Sequence, residues 1–207
     1  MALDLTLKGY REVSAVHPNS SGNEYPATPI TAESLACFPD VGQRYELLRG
    51  ELLVMSPAGS RHGRVAAELL WRVGAVVSRE RLGLVFAAET GFILERDPDT
   101  VRAPDLAFVT QARADVIGPV VGYWPEAPTL VAEVISVHDA ERDLREKIQR
   151  WLEAGTHVAW LLNPATREIT VYRRSREPQV LQDSEYLTEP ELLPTLEILV
   201  ADLFPEG

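Results

Sequence analysis

Asp105 and Glu133 are the two acids whose surroundings mark them for chemistry. Asp105 follows Pro104 in RAPDLAFV, and Glu133 interrupts the apolar run LVAEVIS. A carboxylate placed inside such a run needs a reason, because a buried charge without a partner is expensive. Two carboxylates converging from neighbouring strands make a hard-oxygen site suited to Mg²⁺ or Mn²⁺. An ion there can activate water and stabilise a pentavalent phosphate. Lys147, in LREKIQRW, could orient or deprotonate that water, or neutralise developing charge. Plainer readings stand beside these: Asp105 as a turn cap, Glu133 as the ion-pair partner of Lys147, and Lys147 as a solvated helix residue.

These side chains depend on the elements that carry them. Leu130–Ser136 reads as a central strand covered on both faces, because its apolar character is nearly continuous. Asp139–Ala154 reads as a helix with Leu144, Ile148, Trp151 and Leu152 on one stripe, ended by Gly155. Asp105–Val109 is a second strand. Arg44–Leu48 and Glu51–Met55 flank Arg49-Gly50 as a hairpin. Arg61–Arg81 has helical spacing at Val65, Leu69, Leu70, Val73, Val76 and Val77, and Gly83 suits its end. Leu84–Leu94 reads as one strand bent near Gly91, and residues 110–128 as a loop. His157–Leu162 and Glu168–Arg173 are further strands, and the tail carries short strand-like pieces near Val180 and Tyr186, then a helical turn at Leu199–Phe204. The expected domain plan is an N-terminal arm over 1–30, a domain over 31–176, and an acidic extension over 177–207 packed on that domain.

The 207 residues are 45% apolar, enough for a sizeable core, and carry a formal net charge of −11. That balance disfavours non-specific attraction to nucleic acid. Its distribution is uneven: Glu177–Gly207 holds eight carboxylates and no Lys or Arg. By contrast Ser60–Leu82 carries Arg61, Arg64, Arg72, Arg79 and Arg81 against Glu68 and Glu80. A polyanion would therefore be met locally. Cys37 is the only cysteine, which excludes an intrachain disulfide, and there is no Cys/His zinc pattern. No apolar run approaches the ~20 residues of a membrane span. The first residues do not resemble a secretion signal, so the expected compartment is the cytoplasm.

Taken in order, YELLRGEL at 45–52, Pro104-Asp105, EVIS, the Asp143/Lys147 helix and HVAWLLNPATREITVYR resemble the Uma2 family of putative restriction endonucleases, within the PD-(D/E)xK superfamily. The similarity spans about residues 31 to 173. It implies an α/β (α+β) restriction-endonuclease-like core: a mixed central sheet flanked by helices, preceded by a β-hairpin. It implies a Mg²⁺-dependent phosphodiesterase acting on DNA, with RNA as the lesser alternative, and a homodimer. The usual motif places lysine two residues after the second acid, where this chain has Ile135. In the narrower family the lysine comes from the following helix, which makes Lys147 the match. The catalytic set implied is Asp105, Glu133, Lys147 and Glu46, with Asp105 and Glu133 as metal ligands. The alternative is an inactive nuclease fold used for binding or dimerisation.

Other residues are weaker signals. Glu46 could support the metal or face solvent. His62, with Arg61 and Arg64, could contact phosphate, although a surface or capping histidine and salt-bridged arginines are the commoner outcomes. Glu89 fits an exposed strand position, and His138 and Asp139 fit a helix cap. Trp71, Trp124, Trp151 and Trp160 read as core or interface residues rather than base-stacking platforms.

Overall fold

The structure, a computed structural model, describes residues 29–38, 44–136 and 141–204. Most of the expected N-terminal arm, together with His138 and Asp139, lies outside them. The described elements are α1 (Ala32–Ala36), β1 (Arg44–Leu48), β2 (Glu51–Met55), α2 (Ser60–Glu80), β3 (Gly83–Ala87), β4 (Phe92–Glu95), β5 (Thr100–Arg102), β6 (Leu106–Thr110), α3 (Gln111–Ile117), β7 (Leu130–Val134), α4 (Glu141–Glu153), β8 (Val158–Asn163), β9 (Glu168–Arg173), β10 (Gln179–Leu181), β11 (Tyr186–Glu189), β12 (Leu193–Leu199) and α5 (Val200–Leu203). No helix among the described residues is long and apolar enough to cross a membrane.

The scaffold is a six-stranded mixed sheet in the order β10-β9-β8-β7-β6-β3. β7 and β8 are parallel, and the other neighbours in this sheet are antiparallel. A parallel pair needs a crossover, and α4 supplies it. β7 is buried at every position, as expected for a strand with neighbours on both edges and a helical layer on each face. Strand alternation divides its side chains. Leu130, Ala132 and Val134 join Leu106, Phe108 and Trp160 in a core covered by α2 and the C-terminal segment. Val131 joins Ala107, Val109 and Leu161 in a second core closed by Ile148, Trp151 and Leu152 of α4. Glu133, two residues beyond Val131, belongs to the α4 face.

α2 forms because Val65, Leu69, Val73, Val76 and Val77 fall on one stripe, all of them buried. Fully burying an aliphatic side chain of this size contributes about 1.5–3 kcal/mol as an upper estimate, so the stripe outweighs the low helix propensity of Gly63 and Gly74. The helix ends on Arg81 in the left-handed conformation, with its N–H bonded to the Val77 carbonyl. Gly83 is not that cap: it opens β3 at φ 150°, where a Cβ would lie 2.0 Å from the Val109 carbonyl oxygen.

A second sheet, β2-β1-β5-β4, is antiparallel and packs with α1 around Leu35, Leu47, Ile93 and Val101. Its β1–β2 hairpin turns on Arg49 and Gly50, both at positive φ, as a type I′ turn requires. The expected single strand over Leu84–Leu94 is two strands in two sheets. The chain leaves β3 through a turn at Glu89, whose φ is 78°, and enters the smaller sheet at Phe92. Residues 110–128 are not all loop either, since α3 occupies Gln111–Ile117.

β11 and β12 form a two-stranded sheet whose apolar face packs with α2 in the first core. Arg79 donates to the Thr195 hydroxyl at 2.9 Å, and Arg72 lies 3.4 Å from Asp202. The acidic segment thus lies against the helix that carries Arg61, Arg64, Arg72 and Arg79.

Candidate active site

Three carboxylates come from three elements. The β6–β7 register pairs Leu106 with Ala132, which puts Asp105 opposite Glu133. Glu46 comes from the middle of β1, and Arg102 closes β5. All four are buried: Glu46 2%, Arg102 9%, Asp105 8% and Glu133 4% exposed. Glu46 does not face solvent, in contrast to the plainer hairpin reading.

Each carboxylate is held by named donors. The Val134 N–H donates to Asp105 Oδ2 at 2.8 Å, and His62 Nε2 lies 3.1 Å from the same oxygen. Lys147 Nζ donates to Glu133 Oε2 at 2.6 Å, and Trp151 Nε1 donates to Glu133 Oε1 at 2.9 Å. Lys147 and Trp151 are four residues apart on α4, so both lie on the face turned to the sheet. The Ala103 N–H donates to Glu46 Oε1 at 3.0 Å, and Arg102 Nε stands 3.1 Å from Glu46 Oε2. This last contact is a charge pairing without an aligned hydrogen bond.

The electrostatics differ between the two facing acids. Burial pushes Asp105 up, but the His62 hydrogen bond and charge, the Val134 amide and Lys147 outweigh it, so its pKa lies below the ordinary aspartate value. Burial pushes Glu133 up, and the Asp105 and Glu46 charges add to that; Lys147 only partly offsets them, so Glu133 lies above the ordinary glutamate value. Burial would pull the Lys147 ammonium down, but Glu133 and Glu46 reverse this and leave it raised.

Buried acids outnumber permanently charged cations here: Glu46, Asp105 and Glu133 stand against Arg102 and Lys147, with His62 beside Asp105. An uncompensated buried charge is costly, so the cluster favours an added cation. Among the described residues no group of three His, Cys, Asp or Glu is arranged to hold an ion by itself. An oxygen pair from Asp105 and Glu133 would leave most coordination positions to water and phosphate, as is usual for Mg²⁺. The two carboxylates are donors of the hard-oxygen type that Mg²⁺ and Mn²⁺ take.

The structure brings together Glu46, Asp105, Glu133, Lys147 and His62. His62 is not a surface residue, because the first turn of α2 delivers it to Asp105. Arg61 and Arg64 remain exposed, as does Glu89, 3.9 Å from Arg44. Trp71 is 68% exposed rather than buried in this chain's core, with the Arg72 guanidinium 5.8 Å from its ring. Two participants carry no signal of their own in the sequence. Trp151 reads as one more core residue of the α4 stripe, although its position four after Lys147 is an available hint. Arg102 sits in a three-residue strand, too short to show a pattern.

The model of the Uma2 family, described as putative restriction endonuclease, matches residues 32–201. The fold is similar to the crystal structure of a putative nuclease belonging to DUF820 from Anabaena variabilis ATCC 29413. The TM-score is 0.74 at 22% identity, covering 85% of this chain and 98% of that one. No curated protein matches the chain. The restriction-endonuclease-like fold expected from the motifs is the fold of this protein. Its helix-borne lysine, its facing acids and the matched span lead to one assignment: the chain belongs to the Uma2 family of putative restriction endonucleases.

Proposed function

We propose that this nuclease-family chain is a metal-dependent endonuclease that hydrolyses phosphodiester bonds in DNA. Asp105 and Glu133 would hold Mg²⁺ or Mn²⁺, Lys147 would assist the attack, and Glu46 would support the site. The observation that carries the reading is the Lys147–Glu133 contact of 2.6 Å, on the acid that stands opposite Asp105. It supports the reading that Lys147 stands in for the lysine absent at position 135, since α4 brings its ammonium to the same acid.

When bound, the divalent ion supplies an activated water and a positive charge for the phosphate. The chain's own groups have separable tasks. Asp105, held low by His62, stays ionised and offers oxygen. Lys147, raised by its acidic neighbours, keeps its proton near neutral pH, so it acts as a charge and hydrogen-bond donor rather than a base. One of its three N–H groups is engaged by Glu133, which leaves donors for a phosphate oxygen or for water. Trp151 and Lys147 together fix both oxygens of Glu133. Glu46 holds Arg102 beside the cluster and adds the negative charge that keeps Lys147 protonated.

The test is incubation of the purified chain with plasmid and single-stranded DNA, in Mg²⁺ or Mn²⁺, beside Asp105→Ala and Lys147→Ala. The expected result is cleavage by the unaltered chain, at least about 100-fold slower in either variant, and none after chelation with EDTA. Equal cleavage by all three proteins would trace the activity to a contaminant. Cleavage of nothing would favour the fold acting as a binding or dimerisation module, with the charge cluster as a structural network.

A further inference from the structure

A cavity of about 230 Å³ opens between α1, the β1–β5 pair and the loop at Tyr123, and Glu46 and Arg102 of the carboxylate cluster form part of its wall. We propose that it receives one unstacked base of the nucleic acid, a proposal that rests on the nuclease reading and names the form of its substrate.

Size, walls and charge support that occupant. The volume falls below the roughly 300–1,000 Å³ of clefts for larger ligands, which suits a single flat ring system. Phe38, Tyr45 and Tyr123 all line it. Phe38 and Tyr45 meet edge to face at 5.8 Å and 74°, which braces both rings. Tyr123 occupies its place because residue 91 is glycine: a Cβ there would lie 2.4 Å from the Tyr123 ring. Every base has a π face, so aromatic walls accept any of them.

The polar part of the lining is Arg44 and Arg102 against Glu46 and Glu89. Two cations balanced by two acids suit the mixed donors and acceptors of a base edge and oppose a phosphate. A phosphate would instead lie at the neighbouring Lys147. A base reaches such a recess only after leaving its stack, which is easiest in single-stranded or mismatched nucleic acid. The geometry therefore assigns single-stranded or locally unpaired strands as the preferred substrate.

Binding separates this proposal from catalysis. The full chain is titrated with deoxynucleoside 5′-monophosphates, deoxyribose 5-phosphate and inorganic phosphate, without divalent ion, and followed by amide chemical shifts. The expected result is binding of the nucleotides at least about tenfold tighter than deoxyribose 5-phosphate. Shifts should centre on Tyr45 and Tyr123. Ala36→Leu, an exposed α1 position on the cavity wall, and Tyr123→Leu should each erase that preference while circular dichroism stays native. Equal affinity for nucleotide and sugar phosphate, or a preference that survives Ala36→Leu, overturns the base site and leaves the nuclease reading standing. A base preference in a chain that cleaves no DNA overturns the nuclease reading alone.

Discussion

Asp105 and Glu133 face each other across the β6–β7 ladder, and each is steadied from a different helix. His62 of α2 lies 3.1 Å from Asp105, while Lys147 of α4 lies 2.6 Å from Glu133. Like charges directly opposite in a sheet are destabilising, and the Lys147 ammonium offsets that repulsion at Glu133. Replacing Lys147 by Met leaves Glu133 buried without its counter-charge and should destabilise the chain by about 3 kcal/mol at pH 7. Adding Glu133→Gln to that variant should recover about 2 kcal/mol. Urea unfolding of the two single variants and the double variant gives the coupling directly; strict additivity would contradict the pairing.

Trp151→Phe retains the ring packing of the α4 core but removes the N–H that Glu133 Oε1 accepts. The orphaned buried oxygen should cost about 2 kcal/mol. The same substitution at Trp160, which is buried without a partner for its N–H among the described residues, should be close to neutral. Comparing the urea midpoints of the two variants separates the hydrogen bond from the loss of ring volume.

A pH dependence is expected far from the carboxylate cluster. Glu189 is 2% exposed and is held by Arg173 at 2.6 Å, yet burial outweighs that charge and leaves its pKa above the usual 4.5. A carboxyl raised by folding contributes stability that is fully present below its unfolded pKa and is lost as pH rises through the folded value. Removing the counter-charge enlarges this effect. Arg173→Met should therefore cost little at pH 4 and about 2 kcal/mol or more at pH 7, read from thermal or urea unfolding at the two pH values. A cost independent of pH would show that Glu189 is not the group involved.

Two glycines should respond in opposite directions. Gly74 lies inside α2, and a Cβ added there would meet nothing within 4 Å, so Gly74→Ala should stabilise the chain by about 1 kcal/mol. Gly83 combines φ 150° with the 2.0 Å approach to Val109, so Gly83→Ala should cost at least about 2 kcal/mol. Differential scanning calorimetry distinguishes a rise from a fall in melting temperature.

What is legible in the sequence follows how local the determining physics is. The stripes of α2 and α4 and the buried run of β7 are periodic over their own lengths, and the helix-borne lysine emerges from motif order. β3 and β4 read as one strand because the turn between them uses Glu89 at positive φ, without the Gly or Asn that normally marks such a turn. β12 carries Pro194, which lowers a strand's apparent propensity although an edge position tolerates it. α3 reads as loop because a single buried residue, Ala114, gives it no stripe. His62 reads as a surface or capping residue because its partner is fixed only when the first turn of α2 meets Asp105 at the start of β6, a relation with no local signature.

β8 lies beside β7 in parallel, and such a neighbour can take its place only after the crossover between them is complete. A chain emerging from the ribosome therefore carries Asp105 and Glu133 well before α4 and β8 exist to hold them. Until residue 163 has left the exit tunnel, Glu133 cannot have ammonium, indole and both strand neighbours together. The last strand to pair with β7 thus completes the surroundings of Glu133, which are drawn from segments as far apart along the chain as β6 and β8.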